Sequence, residues 1–170
     1  RDSSTSRGLG DVYKRQVWYL SVWSIQKPHG KIILPFSGAV EGYLIYNQEG
    51  WVSATLMEKE RPILSDNRSE LTRLRDELND SKDLSLNSDT MHHLRNHFLA
   101  AHGYIAYTGP FSVDENNVYH EIKTSLIPQW IGTTLVREYD FSSNNHQLTL
   151  SANQGKFIDQ LIWKRENSND

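Results

Sequence analysis

The chain has 170 residues, a formal net charge of −3 and no cysteine. The absence of cysteine excludes disulfides, thiolate metal ligands and a cysteine nucleophile, and the acidic balance argues against a nucleic-acid or anionic-membrane partner. No apolar run is long enough to span a bilayer, so the composition indicates a globular chain with a single core.

Residues 1–16 differ from the rest, because they carry no apolar periodicity and do not begin with Met. They resemble the translation of a sequencing adapter at the end of a metagenomic fragment, and we expect them to lie outside the fold. The expected domain covers 17–166, with a helical insertion over about 66–102 and a frayed tail at 167–170. The default compartment is the cytoplasm, and a signal peptide on a missing natural N-terminus stays open.

The first part of the chain is predicted to be rich in strands. The expected strands are Trp18–Ile25, Lys31–Phe36, Gly42–Tyr46 and Gly50–Met57. A turn over Lys27–Gly30 follows the first strand, and Pro35 confines the second to a sheet edge or a strand end. The last two form a hairpin over Asn47–Gly50, where glycine allows a positive φ.

The middle part is polar and then helical. A narrow stripe of Leu71, Leu74 and Leu78 predicts a first helix that opens near Asp66 or Ser69, followed by a loop over 79–88. A second helix is predicted to begin near Ser88 or Asp89 and to end before Gly103, a C-cap glycine. Its apolar face is expected to contain Met91, Leu94, Phe98 and Ala101.

The last part returns to strands. The expected strands are Gly103–Val113, Val118–Leu126, Thr133–Phe141, His146–Ser151 and Asp159–Arg165. Pro110 predicts a kink or bulge, and a corner at Pro128–Gly132 joins the second strand of this group to the third. Short strands at this spacing predict an antiparallel barrel, closed by pairing of the final strand with the first.

Two of these strands place a polar residue on the face expected to point inward. With period two, one face contains Val118, His120, Ile122, Thr124 and Leu126, and the next strand presents Thr133, Leu135, Arg137, Tyr139 and Phe141. A histidine and an arginine among apolar neighbours need partners, because an unpaired buried polar group is destabilising. The arrangement is typical of a pocket lining.

Several segments are similar to one known family. They are Trp18, Gly42–Tyr46 with Gly50–Trp51, Gly103–Gly109, His120–Gly132 with Arg137 and Tyr139, Gln147–Leu150 and Leu161–Trp163. Together they resemble the lipocalin-like domain family of bacteria and fungi, most specifically through the His…Ser…Pro-x-Trp-x-Gly pattern of His120–Gly132. The chain departs from it in having Val17 where a glycine is usual, and in a longer, more polar stretch over 63–86.

The resemblance implies an all-β, antiparallel up-and-down barrel of about eight strands, with a helical insertion between its two strand groups. Such a barrel encloses a cavity for a small, largely apolar molecule. The resemblance supplies no catalytic residue, because the family has no agreed one.

The candidate site residues are His120 and Arg137, as polar groups that hold the head of a ligand. The candidate walls are Tyr43, Tyr104, Trp51 and Trp130, from a wider aromatic set that includes Tyr46 and Tyr107. The alternative is structural: Arg137 stacks on Trp18 or Trp130 to close the barrel end, His120 bonds a neighbouring hydroxyl, and the aromatics fill the core.

No cofactor and no metal site are expected. His93 and His97 have the i, i+4 spacing of a metal pair, but no carboxylate ligand is specified nearby, and a solvated helix face is the preferred interpretation. The predicted function is binding of a small hydrophobic or amphipathic molecule in the barrel. One alternative is a cofactor-free cyclase, isomerase or hydratase, with His120 as acid/base and Arg137 as oxyanion stabiliser. Another is an interaction module that uses the polar insertion; catalysis and oligomeric state stay open.

Overall fold

The computed structural model describes residues 16–64, 67–80 and 88–165. The chain divides into two compact units, one formed by residues 60–103 and the other by the segments before and after them. The predicted adapter segment, apart from Gln16, and the predicted frayed tail lie outside the described residues.

The larger unit is a closed antiparallel barrel. Its strands are β1 (Gln16–Gln26), β2 (Ile32–Ile33), β3 (Val40–Tyr46), β4 (Trp51–Glu58), β5 (Tyr104–Val113), β6 (Asn117–Glu121), β7 (Thr124–Ser125), β8 (Thr134–Phe141), β9 (Gln147–Asn153) and β10 (Ile158–Arg165). Eight of them follow one another around the barrel as β1-β3-β4-β5-β6-β8-β9-β10, and β10 pairs back onto β1. The short β2 extends from β1, and β7 pairs with β5. The predicted barrel and its closure are confirmed.

Strand β1 closes the barrel because it pairs with two neighbouring strands. Its first residues, Gln16–Tyr19, pair with β3, whereas Trp18–Gln26 pair with β10. The register against β10 slips between Leu20 and Val22, which is a bulge of the kind that bends a strand around a barrel.

The predicted second strand is shorter than expected. Only Ile32–Ile33 pair with β1, because Pro35 opens a 3-10 turn over Pro35–Gly38 instead of ending a strand. The hairpin after it agrees with the prediction: Gly50 has a φ of +82°, and the Asn47 side chain accepts a hydrogen bond from the Trp51 backbone N–H.

The interior follows the period-two pattern. On β3, for example, Val40, Leu44 and Tyr46 are buried, while Tyr43 and Ile45 are exposed. The largest fully buried side chains are Trp18, Trp163, Tyr46, Leu44, Ile122, Leu148, His120, Val52 and Val118. The core therefore consists of side chains that face inward from strands all around the barrel.

The cation beside Trp18 is not the one named in the structural alternative. The guanidinium of Arg165 lies 5.5 Å from the centre of the Trp18 ring, in the range of a cation–π contact. Arg165 is on β10, which pairs with β1 next to Trp18, so strand pairing places the two side chains together. The cation that stacks on Trp18 is therefore Arg165 and not Arg137, whereas the alternative of Arg137 beside Trp130 stays a prediction.

The predicted strand Val118–Leu126 is broken in the middle. Strand β6 ends at Glu121, and β7 resumes at Thr124 with a register against β5 that is offset by one residue. The break packs over Gly109, where an added Cβ would lie 1.8 Å from the Glu121 carbonyl oxygen. Only glycine permits this approach.

One consequence of the break is a change of face. Val118, His120 and Ile122 are buried as predicted, but Thr124 and Leu126 are exposed. The expectation that all five share an inward face was wrong, because the extra residue at the break reverses the alternation beyond it.

The smaller unit contains two helices, α1 (Arg68–Asp80) and α2 (Ser88–His102). The side chain of Asn67 caps α1 by accepting a hydrogen bond from the Ser69 backbone N–H. Asp66 and residues 81–87 of the predicted loop lie outside the described residues, and the rest of that loop belongs to the two helices. Neither helix, over its described residues, combines the length and hydrophobicity needed to cross a membrane.

The burial pattern agrees with the prediction on α1 and differs on α2. Leu74 is buried on α1, with Leu71 and Leu78 half-buried beside it. On α2 the buried residues are Thr90 and Ala100. Of the predicted apolar face only Leu94 is half-buried, whereas Met91, Phe98 and Ala101 are exposed.

Candidate functional site

A chain of three polar side chains crosses the barrel interior. The hydroxyl of Tyr46 on β3 lies 2.8 Å from Nε2 of His120 on β6. The hydroxyl of Tyr107 on β5 lies 2.9 Å from Nδ1 of the same ring. The alternation of β3, β5 and β6 turns all three residues inward. Both nitrogens of His120 therefore have a tyrosine partner, and its side chain is fully buried.

The electrostatic environment of these three side chains keeps the imidazole of His120 neutral. Burial, reinforced by the positive charge of Arg137, lowers the pKa of His120 from 6.5 to about 3. Burial also raises the pKa of Tyr107, and the charge of Arg137 partly opposes that rise. At neutral pH the imidazole of His120 and the hydroxyl of Tyr107 are uncharged, and the charge of Arg137 acts on both.

A cavity of about 150 Å³ adjoins this chain inside the barrel. Its apolar lining consists of Leu56, Ile105, Leu150, Leu161 and Trp163. Its aromatic and polar lining consists of Trp23, Tyr107, Trp130, Arg137, Gln154 and Asp159. A pure interaction module would require a solidly packed interior, and this barrel does not have one. The cavity combines an apolar wall with a few polar groups.

Arg137 is the cation of this cavity. It lies on β8, where alternation brings Leu135, Arg137, Tyr139 and Phe141 to the less exposed face, as the sequence predicted. The fifth residue predicted on that face, Thr133, is exposed and precedes the strand. One of its nitrogens donates to the Val136 carbonyl at 2.9 Å. Among the described residues no carboxylate forms an ion pair with it, so its other N–H groups are available to an oxygen-bearing guest.

The cavity also has an acidic group. The carboxylate of Asp159, at the start of β10, accepts a hydrogen bond from the indole of Trp23 at 3.2 Å. Gln154 lies beside it in the turn between β9 and β10. Among the described lining residues, the cavity therefore has one acidic side chain, Asp159, and one basic side chain, Arg137.

Two of the six predicted site residues, Arg137 and Trp130, line the cavity. His120 faces inward as expected, but it lies behind Tyr107 and does not contribute to the lining. The sequence alternative, in which His120 bonds a neighbouring hydroxyl, describes its environment, with two hydroxyls instead of one.

Three predicted wall residues lie on the other side of the sheet. Tyr43 is 41% exposed and Trp51 is 44% exposed. Tyr104 alternates with Ile105 and Tyr107, which line the cavity, so it faces outward. Placing these three in the cavity was wrong, because each is one residue out of phase with the inward-facing side chains of its strand.

The sequence did not predict the role of Trp23 or the hydrogen bonds of Tyr46 and Tyr107 to His120, although both tyrosines belong to the wider aromatic set. Trp23 follows the β1 bulge, which changes the phase of the strand. Tyr107 was recognisable as the inward aromatic of β5, two residues before Gly109 and two after Ile105. Tyr46 could not be assigned to the inward face from the sequence, because both faces of β3 carry apolar side chains.

The histidines of α2 are not grouped with further metal ligands among the described residues. His93 and His97 are half-buried on the helix, and the Nε2 atom of His92 lies 3.2 Å from the amide nitrogen of Asn96. In the described ranges no three His, Asp or Glu residues are placed to hold a metal ion.

A closed eight-stranded barrel that keeps an internal cavity is the architecture of small β-barrel proteins that hold one small ligand. The family model described as a lipocalin-like domain matches residues 17–166. Because this match covers most of the chain, the protein belongs to the lipocalin-like domain family. No curated protein matches the chain significantly, and no solved structure does.

Proposed function

We propose that the barrel binds a small amphipathic molecule with an apolar body and an oxygen-bearing head, which is a carboxylate, phenolate or enolate held by Arg137. The observation that carries this proposal is the guanidinium of Arg137 in a cavity whose other described lining residues are mostly apolar or aromatic. A guanidinium with unused donors beside apolar walls can form charge-assisted hydrogen bonds to an anionic oxygen.

The volume limits the size of the guest. Ligand pockets for drug-sized molecules span about 300–1,000 Å³, and an apolar cavity of about 150 Å³ is known to take benzene. With a cavity of about 150 Å³, the barrel suits an apolar body of one ring or a short chain. A long fatty acid exceeds this volume.

The position of the head follows from the charges of the lining residues. The guanidinium of Arg137 attracts an anionic head, whereas the carboxylate of Asp159 repels it. The body then contacts the indoles of Trp23 and Trp130, whose flat faces suit a small ring.

The enzymatic alternative loses its proposed acid/base. His120 is fully buried, has both ring nitrogens occupied, and is neutral down to acidic pH because its pKa is about 3. It reaches a guest only through Tyr107, so the geometry favours recognition over proton transfer by the imidazole.

Benzoate and toluene serve as probes, since they share a ring and differ in the anionic head. Three of the five tryptophans line the cavity, so their fluorescence reports binding, and calorimetry measures the affinity. We expect the protein to prefer benzoate. Arg137→Met should lower benzoate affinity by about tenfold or more, the effect of a lost charged hydrogen bond, with little change for toluene.

Two further variants distinguish the effect of the Arg137 charge from the effect of the cavity volume. Lys164→Met removes a cation from an exposed position and should leave both affinities unchanged. Leu161→Trp adds volume to the lining and should weaken both probes together. The proposal fails if the wild-type protein binds neither probe, or if Arg137→Met binds benzoate as tightly as the wild type.

A further inference from the structure

The hydrogen-bonded chain Tyr46–His120–Tyr107 connects the packed core to the cavity wall. Tyr46 is fully buried, His120 is fully buried, and Tyr107 is the member that lines the cavity. The two hydrogen bonds of the imidazole, at 2.8 and 2.9 Å, have ordinary lengths for strong donor–acceptor pairs.

Proton counting allows two states of this chain. A neutral imidazole has one N–H donor and one acceptor nitrogen. If Nε2 carries the proton, Tyr107 must donate its own proton to Nδ1, and only its lone pairs are left for the cavity. If Nδ1 carries the proton, Tyr46 donates to Nε2 and Tyr107 accepts from Nδ1. In that state the Tyr107 hydroxyl proton is free to point into the cavity.

The guest decides between the two states. In both, each of the three groups keeps its single exchangeable proton, so no net charge is created in the core. An anionic oxygen at Arg137 needs donors around it and is repelled by lone pairs. The state with the proton on Nδ1 supplies one more donor, the Tyr107 hydroxyl, on a cavity wall that Arg137 shares.

We propose that Tyr107 is the second residue that recognises the oxygen head of the guest, and that His120, protonated on Nδ1, and Tyr46 position it as a donor. This inference rests on the proposed function, because it needs the head to lie at Arg137. Tyr107 contacts the guest, whereas His120 and Tyr46 act through Tyr107 as positioning residues. The site then selects oxygen acids that accept hydrogen bonds from two sides.

The first test is spectroscopic and uses the wild-type protein. Long-range ¹H–¹⁵N spectra of protein labelled on histidine distinguish the two ring tautomers, and His120→Gln identifies the signal of His120. With benzoate saturating, we expect the proton on Nδ1. A proton on Nε2 in the benzoate complex would overturn the inference, because Tyr107 would then have no proton to donate.

The second test is binding. Tyr107→Phe should lower benzoate affinity by about tenfold, as for a lost hydrogen bond to a charged group, and leave toluene affinity unchanged. Tyr46→Phe should act in the same direction with a smaller effect, although Tyr46 is not part of the lining. Tyr43→Phe, on the exposed outer face, is the matched control and should change nothing.

The outcomes separate the two proposals. If benzoate binding depends on Arg137 but not on Tyr107, the role of Tyr107 is wrong and the proposed function stands. If the wild-type protein does not bind benzoate at all, both are wrong. A loss of toluene binding in Tyr107→Phe equal to the loss of benzoate binding would reduce Tyr107 to a packing residue.

Discussion

Acid should destabilise the barrel through one side chain, His120. In the folded protein its pKa is lowered from 6.5 to about 3, whereas in the unfolded chain it returns to its ordinary value. Between these two values the unfolded state binds a proton that the folded state does not. The contribution of His120 to the free energy of unfolding is therefore complete above pH 6.5 and falls as the pH is lowered.

The expected loss of stability follows from how far the pH is lowered below 6.5. Each pH unit below 6.5 removes about 1.4 kcal/mol, so this residue alone lowers the free energy of unfolding by about 2 kcal/mol at pH 5. Other titrating groups add their own slopes, so a matched variant is needed to isolate it.

The variant is His120→Gln, which keeps a donor and an acceptor and does not titrate. All five tryptophans lie in the barrel unit, so urea unfolding followed by tryptophan fluorescence reports the barrel. We expect the difference in free energy of unfolding between wild type and variant to shrink by about 2 kcal/mol from pH 7 to pH 5. A difference that does not change with pH would refute the reasoning, as would a His120 ring signal that titrates near its ordinary pKa by NMR.

Two substitutions test the packing. Gly109→Ala would place a methyl group 1.8 Å from the Glu121 carbonyl oxygen, and it should lower the free energy of unfolding by about 1–3 kcal/mol or more; an unchanged urea midpoint would contradict the role of Gly109. Leu44→Ala removes a side chain that is 0% exposed and should lower the free energy of unfolding by about 2–5 kcal/mol. Its neighbour control, Ile45→Ala, is 41% exposed in the wild type and should lower it by about 1 kcal/mol or less, so equal effects would reverse the assigned faces.

The sequence predicts those parts of the barrel that depend on local patterns. On β8 the alternation that brings Arg137 inward is visible in the chain itself, and Gly50 marks the hairpin turn. On β4 the inward face could also be identified, because Val52, Ala54 and Leu56 are all small or apolar, whereas Trp51 shares the opposite face with Ser53 and Thr55. On β3 it could not, because Tyr43 and Ile45 are as apolar as Leu44 and Tyr46.

The rest depends on contacts between distant segments. The break after Glu121 exists because the chain packs against Gly109 on a neighbouring strand, and no window around Glu121 contains that information. Likewise, Tyr46 and His120 are separated by 74 positions, and only the strand order brings their side chains together. Period-two patterns identify a face, but barrel geometry decides which residues on that face meet.

The stability of the fold does not by itself explain why three polar side chains lie in the barrel interior. A hydrogen bond in a folded protein contributes about 1 kcal/mol net, and replacing both partners by apolar groups of similar shape is nearly neutral. The triple variant Tyr46→Phe, His120→Leu, Tyr107→Phe should therefore unfold within about 2 kcal/mol of the wild type at pH 7 and lose its preference for benzoate over toluene. If the triple variant is several kcal/mol less stable and keeps that preference, the three hydrogen-bonded side chains are a structural element of the core. Arg137 then recognises the head of the guest without them.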